Sequence, residues 1–177
     1  FLKRYSTKKL ITGITDTFLL GTASSVVNAA YGIPKYILLG FKPRVSTCAA
    51  CDDSFPQSKV KSLFVRIGGE SYPREGISCD VDLATGKARC NRAYEAYTAW
   101  CWKMGNEPTM SLSHFRLYDS IYCFDTSAHV ANMGGSAPPV QIDMEFVAAP
   151  VDTMAYVIIF SESRWTINTA SGKMINI

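Results

Sequence analysis

Histidine is scarce in this 177-residue chain, where His114 and His129 are the full complement. They stand too far apart for any metal-ligand motif, so a cupin-like enzyme, which needs clustered histidine ligands, is disfavoured. No Gly-x-Ser-x-Gly elbow is present, and no glycine loop leads into Lys-Ser/Thr and a helix, which removes the usual hydrolase and phosphate-binding signatures. No Asn-x-Ser/Thr acceptor appears, so nothing of that kind supports secretion. Excess charge is also lacking: 18 Lys plus Arg against 15 Asp plus Glu leaves +3, far from the concentrated positive charge of a dedicated nucleic-acid binder. A long apolar run is missing too. Residues 17–34 carry no charge, but Thr17, Gly21, Thr22, Ser24, Ser25, Asn28 and Gly32 dilute them, and a spanning helix needs about 20 apolar residues. No membrane span is expected, and Thr12, Thr15 and Asp16 break the apolar core that a signal peptide requires.

What is present is ample material for a core: 47% hydrophobic and 12% aromatic residues. A chain of this size buries about 70% of its unfolded surface, so a single domain over 1–177 is expected, without need of metals or disulfides. Lys3, Arg4, Lys8 and Lys9 make residues 1–9 a basic lead-in arm; weak contact with DNA is its functional reading and a solvated segment its bland one. Residue 1 is Phe rather than Met, which suggests a piece of something longer.

Six cysteines occur, at 48, 51, 79, 90, 101 and 123. Cys48-x-x-Cys51 with Cys79 and Cys90 offers four thiolates to zinc, but a zinc ribbon closes with a second close pair and none follows. A Cys79–Cys90 disulfide across the Gly86-Lys87 turn is conceivable in an oxidising compartment; buried thiols kept reduced are the leading expectation. Cys101 and Cys123 lie in apolar segments and read as core.

Alternation of apolar and polar residues points to strands. Ile142, Met144 and Phe146 fall on one face and Gln141, Asp143 and Glu145 on the other, the pattern of a half-buried antiparallel strand. Lys61, Leu63, Val65 and Ile67 define one face of another, and Tyr156 to Phe160 reads as a strand buried on both faces. Further strands are expected at 15–20, 35–41, 77–83, 114–124 and 164–168, with long loops at 43–58, 68–92 and 126–139. One helix is expected, at about 91–104, capped by Asn91, with Tyr94, Tyr97 and Cys101 on one face and Lys103 then Gly105 at its end. Eight strands and one inserted helix predict an all-β antiparallel sandwich.

No constellation in the sequence carries chemistry convincingly. Ser127 near His129 and Asp125 is the tempting triad, but nothing supplies an oxyanion hole. Asp52-Asp53, Asp80 with Asp82, and Asp143 with Glu145 read as surface carboxylates, since a polar sheet face explains them without catalysis. His114, at the start of an expected strand, and His129, in a loop, read as satisfied or solvated. Tyr94, Tyr97, Trp100 and Trp102 crowd the helix, as a core or a subunit interface requires. No catalytic, cofactor or metal site is assigned.

Taken in order, several segments resemble the carboxy-terminal jelly roll of double-jelly-roll major capsid proteins, especially those of Polinton/Maverick elements and adintovirus-like viruses. They are Pro34 to Phe41, Ser54-Phe55-Pro56, Leu63 to Pro73, the Tyr94 to Trp102 helix and Ile121 to Ser127, followed by Gln141 to Phe146, Tyr156 to Phe160 and Trp165-Thr166-Ile167. The likeness runs from about residue 8 to the end. Cys48-Ala-Ala-Cys51 departs from it, and one roll is present where the family carries two. The resemblance implies an eight-stranded jelly roll preceded by an amino-terminal roll, three such chains forming a pseudo-hexagonal trimer, and trimers tiling an icosahedral shell around double-stranded DNA. Penton or minor capsid proteins would be neighbours, the virion capsid the location and the host cell the place of assembly. No enzyme activity and no cofactor belong to that picture. The alternative expectation is a carbohydrate- or ligand-binding jelly roll that uses Trp165 or Tyr72 as a stacking platform.

Overall fold

The computed structural model describes residues 7–19, 24–27, 34–43, 55, 60–79, 90–128, 139–147, 152–168 and 173–176. They are mostly β, with few helices. In chain order the elements are β1 (Thr7–Leu19), β2 (Ser24–Val27), β3 (Pro34–Pro43), β4 (Val60–Ile67), β5 (Glu70–Ile77), α1 (Asn91–Lys103), α2 (Leu112–Leu117), β6 (Tyr122–Asp125), β7 (Val140–Phe146), β8 (Thr153–Asn168) and β9 (Lys173–Asn176).

Two antiparallel sheets form. The first runs β1-β8-β3-β6, with β9 pairing the far end of β8, and the second runs β2-β7-β4-β5. Within them β1 pairs β8, β2 pairs β7, β3 pairs β6 and β4 pairs β5, a nested set. The cross-links β3 to β8 and β4 to β7 then complete each sheet. The sheets share one core. Ile37, Leu39 and Phe41 of β3, with Tyr122 and Phe124 of β6 and Val157 and Ile159 of β8, join Leu63, Val65 and Ile67 of β4 and Val140, Ile142 and Met144 of β7. Phe41 spans the two layers, edge-on to Phe146 at 5.4 Å and to Tyr122 at 5.9 Å. Each such side chain, fully buried, stabilises the fold by about 1.5–3 kcal/mol relative to exposure.

Several expected elements shift. Residues 114–124 do not form one strand: Ser111 accepts the His114 N–H as an N-cap and starts α2, and β6 begins only at Tyr122. Of the strand expected at 77–83, Ile77 ends β5, 78 and 79 are not strand, and 80–83 lie outside the described residues; β5 itself follows from Gly68 and Gly69, a two-residue hairpin turn. Both glycines have positive φ, 58° and 90°, as the tightest hairpins require. The region 68–92 is therefore not one long loop. The segments 156–160 and 164–168 are a single strand, β8, because Ser161 and Ser163 continue the ladder against Ile11 and Lys9 of β1. The strand at 15–20 likewise belongs to a longer one, so Thr7, Lys8 and Lys9 lie in β1, paired with Trp165, Arg164 and Ser163. Lys3 and Arg4 lie outside the described residues.

Lys61 does not share the face of Leu63. A register shift between Val60 and Ser62 buries Val60 in its place and leaves Lys61 exposed. In β8, Ala155, Val157 and Ile159 are buried, whereas Tyr156, Ile158 and Phe160 on the opposite face are half-buried.

Candidate functional site

β5 and β6 each pair with one neighbour, so both sheets end on these strands. Unpaired strand edges attract other chains, and proteins cover them. Here α1 lies against β6. Its buried residues Ala93, Tyr97 and Cys101 recur at helical spacing, and Tyr94 and Tyr97 pack on Phe115 of α2 at 5.7 and 5.9 Å. Trp100 reaches Phe160 of β8 at 6.0 Å. The Tyr94 hydroxyl donates to the Met110 carbonyl at 2.9 Å, which fixes the connection to α2.

The two ends of α1 are secured differently. At the carboxyl end Gly105 N–H donates to Trp102 O and Asn106 N–H to Cys101 O, and Gly105 has φ of 78°. That is a Schellman closure, and it satisfies carbonyls the helix cannot. Lys103 pairs with Asp125 of β6 and lies 5.8 Å from the Tyr36 ring. At the amino end the cap position is Cys90, not Asn91; no side chain caps the helix there and no acid occupies its first turn. A disulfide instead joins Cys90 to Cys79, just past β5, and Arg92 meets Glu75 at 2.7 Å. The expectation of reduced thiols is thus corrected for this pair. The strand β5 delivers Cys79 to the start of α1 with a Cα–Cα distance of 4.3 Å, short enough to bridge. The same bond removes both sulfurs from the zinc set weighed above.

Between Gly76 and Ile77 of β5, Arg92, Ala96 and Ala99 of α1, and Phe124 of β6 opens a cleft of about 380 Å³. It exists because α1 presents alanines to it. Its chemistry is quiet. Burial raises the Asp125 carboxyl, but hydrogen bonds from Lys103 and Ser127 outweigh that and hold it below its ordinary value, as a carboxylate. Burial, with the neighbouring Cys101, pushes the Cys123 thiol well above its usual range, so it stays protonated and a poor nucleophile. No cluster of three metal-ligating side chains occurs among the described residues.

The residues weighed from sequence scatter. Asp125 receives the Ser127 N–H at 2.9 Å, which is a turn contact, and His129 lies outside the described residues. His114 sits in α2, its Nε2 2.7 Å from Asp119 Oδ2, while Asp119 Oδ1 accepts the Phe55 N–H at 2.9 Å. Asp143 and Glu145 are on the wet face of β7, as the alternation requires, paired with Arg66 at 2.9 Å and Lys61 at 2.5 Å. Cys101 and Cys123 are buried free thiols. The Tyr72 hydroxyl donates to Glu70 at 2.7 Å, and burial followed by that bond pushes its pKa up to about 12. Cys48, Cys51, Asp52, Asp53, Asp80, Asp82 and the Trp165 side chain lie outside the described residues. No helix among the described residues is long and apolar enough to cross a membrane.

The clamp of Lys103 on Asp125 and the seat of Phe55 escaped sequence reasoning. Lys103 is 22 residues from Asp125, and Phe55 is 64 from Asp119, beyond the reach of any periodicity. No protein family matches the sequence, and no characterised protein is detectably similar to it.

Proposed function

We propose that the chain is a jelly-roll brick of a viral or transposon-derived capsid, the carboxy-terminal roll of a double-jelly-roll protein. The observation that carries the reading is the nested pairing of β1 with β8, β2 with β7, β3 with β6 and β4 with β5. One long antiparallel hairpin wrapped around itself gives that order, and such wrapping is how jelly rolls manage their sheet edges. Sequence order and spacing from Pro34 to Ile167 supply the family.

The activity is then self-association by shape. An amino-terminal roll stands beside this one, three chains form a pseudo-hexagonal trimer, and trimers tile a shell with penton or minor capsid proteins as neighbours. Assembly takes place in the host cell and the finished location is the virion capsid. Trp102, exposed by 61%, and Leu117 and Tyr118, exposed by 58% each, are the kind of side chains such contacts cover. The basic residues near the amino terminus make at most weak contact with DNA.

Light scattering and negative-stain imaging of the chain joined to its upstream sequence test the proposal. Trimers and shells are expected; a strictly monomeric product overturns it.

A further inference from the structure

We propose that the Cys79–Cys90 bond is a redox-controlled clasp that ties the amino-terminal turns of α1 to the end of β5, beside the cleft. The inference rests on how unequally the two ends of α1 are fastened, and it stands whether or not the domain builds a capsid. Beyond the disulfide, the amino end has no side-chain cap and no acid in its first turn, so its free N–H groups gain nothing from the usual sources. Arg92 and Glu75 meet there, but their side chains are 63% and 73% exposed, and such pairs hold weakly. The carboxyl end keeps its Schellman closure, the Lys103–Asp125 pair and the Trp100–Phe160 contact, none of which involves a disulfide. Ala93, Tyr94 and Tyr97 still pack inward, but no cap or helix-end closure backs them, so loss of the bond loosens the amino end more than the carboxyl end.

Neither half-cystine lines the cleft, so a reagent reaches the bond only when the first turn of α1 opens beside it. Both half-cystines are buried, yet Ile77 and Arg92, two positions from Cys79 and Cys90 respectively, line the 380 Å³ opening. A small dithiol entering there attacks one sulfur as its thiolate, forming a mixed disulfide and releasing the other cysteine as a thiolate. The reagent's second thiol then displaces the first cysteine. The protein gains two electrons and two protons, and the dithiol leaves as its own disulfide. Oxidised glutathione reverses the change, accepting the two electrons while two protons are released. Cys101 and Cys123, already buried thiols, serve as internal references.

Amide hydrogen exchange of the intact chain decides the matter, after oxidised glutathione or dithiothreitol under native conditions, with alkylation read peptide by peptide. In the oxidised sample Cys79 and Cys90 should be linked. In the reduced one both should alkylate, and amides of residues 91–98 should exchange about tenfold faster or more, while 60–67 and 140–146 stay protected. A bond that resists the dithiol until the whole fold melts overturns the proposal, as do two free thiols after oxidation, no change at 91–98, or a loss of protection spread evenly over both sheets. The variant Cys79→Ser/Cys90→Ser should show the fast exchange in both conditions. Slow exchange in that variant, or failure to fold, overturns it equally, the latter because the bond would then hold the whole sandwich.

Discussion

On β3 of the first sheet, Leu38 and Gly40 are buried alongside Ile37, Leu39 and Phe41; on β4 of the second, Val60, Leu63, Val65 and Ile67 are buried while Lys61 and Arg66 stand in water. Both strands belong to one sandwich, but among the described residues only the first sheet has a roof. Trp100 covers Phe160, Lys103 lies near Tyr36, and Phe55 packs edge-on to Tyr156 at 5.9 Å above Gly40. The second sheet instead shows an ion-paired face, Lys61 with Glu145 and Arg66 with Asp143. A sheet covered on both sides needs apolar residues at every position, whereas one covered on a single side needs them at alternate positions. The difference in sequence pattern between β3 and β4 is thus the record of what lies over each.

The largest test of that contrast falls on the shared layer. Phe41→Ala removes the ring that bridges the sheets and should cost about 3–5 kcal/mol in urea denaturation. A loss under about 1 kcal/mol would mean the two layers do not depend on that contact. Next in size is the roof. A Cβ on Gly40 would stand 2.5 Å from Phe55 Cδ1, so Gly40→Ala should cost about 1–3 kcal/mol by displacing the ring. In a Phe55→Ala background the same change should cost less than about 0.5 kcal/mol, and an equal cost in both backgrounds would remove Phe55 from the argument. On the uncovered face, Ser62→Ala, which deletes a hydroxyl 3.2 Å from Glu145, should stay within about 0.5 kcal/mol.

Much of this was legible in the residues. The alternation at 141–146 located β7 and both its faces, and Lys103 with Gly105 located the end of α1. The unbroken run Tyr156 to Phe160 marked a strand covered on both faces without saying by what, and 35–41 read simply as a strand. The cover itself was not legible, because Phe55 and Asp119 meet through folding rather than periodicity. The segment 114–124 misled for a related reason: its apolar residues suit a strand, and only the Ser111 cap, a local hydrogen bond, turns the first half into helix. The Cys79–Cys90 bond depended on where the Gly68-Gly69 hairpin sends β5, a tertiary fact. In the candidate site the aromatic crowding of the helix was visible, but the division of Lys103, Trp100 and Trp102 among strand, roof and solvent was not.

The smallest expected effect separates the two faces by pH. Asp125, at the exposed margin of α1 and β6, and Glu145, on the open face, both have carboxyls held below the ordinary value, Asp125 against the opposing effect of burial and Glu145 chiefly by the Lys61 hydrogen bond. A depressed carboxyl contributes stability above the pKa of the unfolded chain and loses it as pH falls through the folded value. The Asp125 hydrogen bond raises Lys103 in turn, despite its partial burial, so the pair holds from just under the carboxylate range to beyond the ordinary lysine range. The pair fails only as pH falls through the depressed Asp125 value, beneath the ordinary carboxylate range. Asp125→Asn should therefore flatten part of the acid slope of stability, by less than about 1 kcal/mol given its exposure. Glu145→Gln should flatten it less, and added salt should erase that smaller effect first, because the Lys61–Glu145 pair is the more solvated of the two, at 57% and 55% exposure against 45% and 44%. Denaturation midpoints from pH about 2 to 6, at low and high salt, measure both. Equal flattening by the two variants would erase the distinction between the covered sheet and the open one.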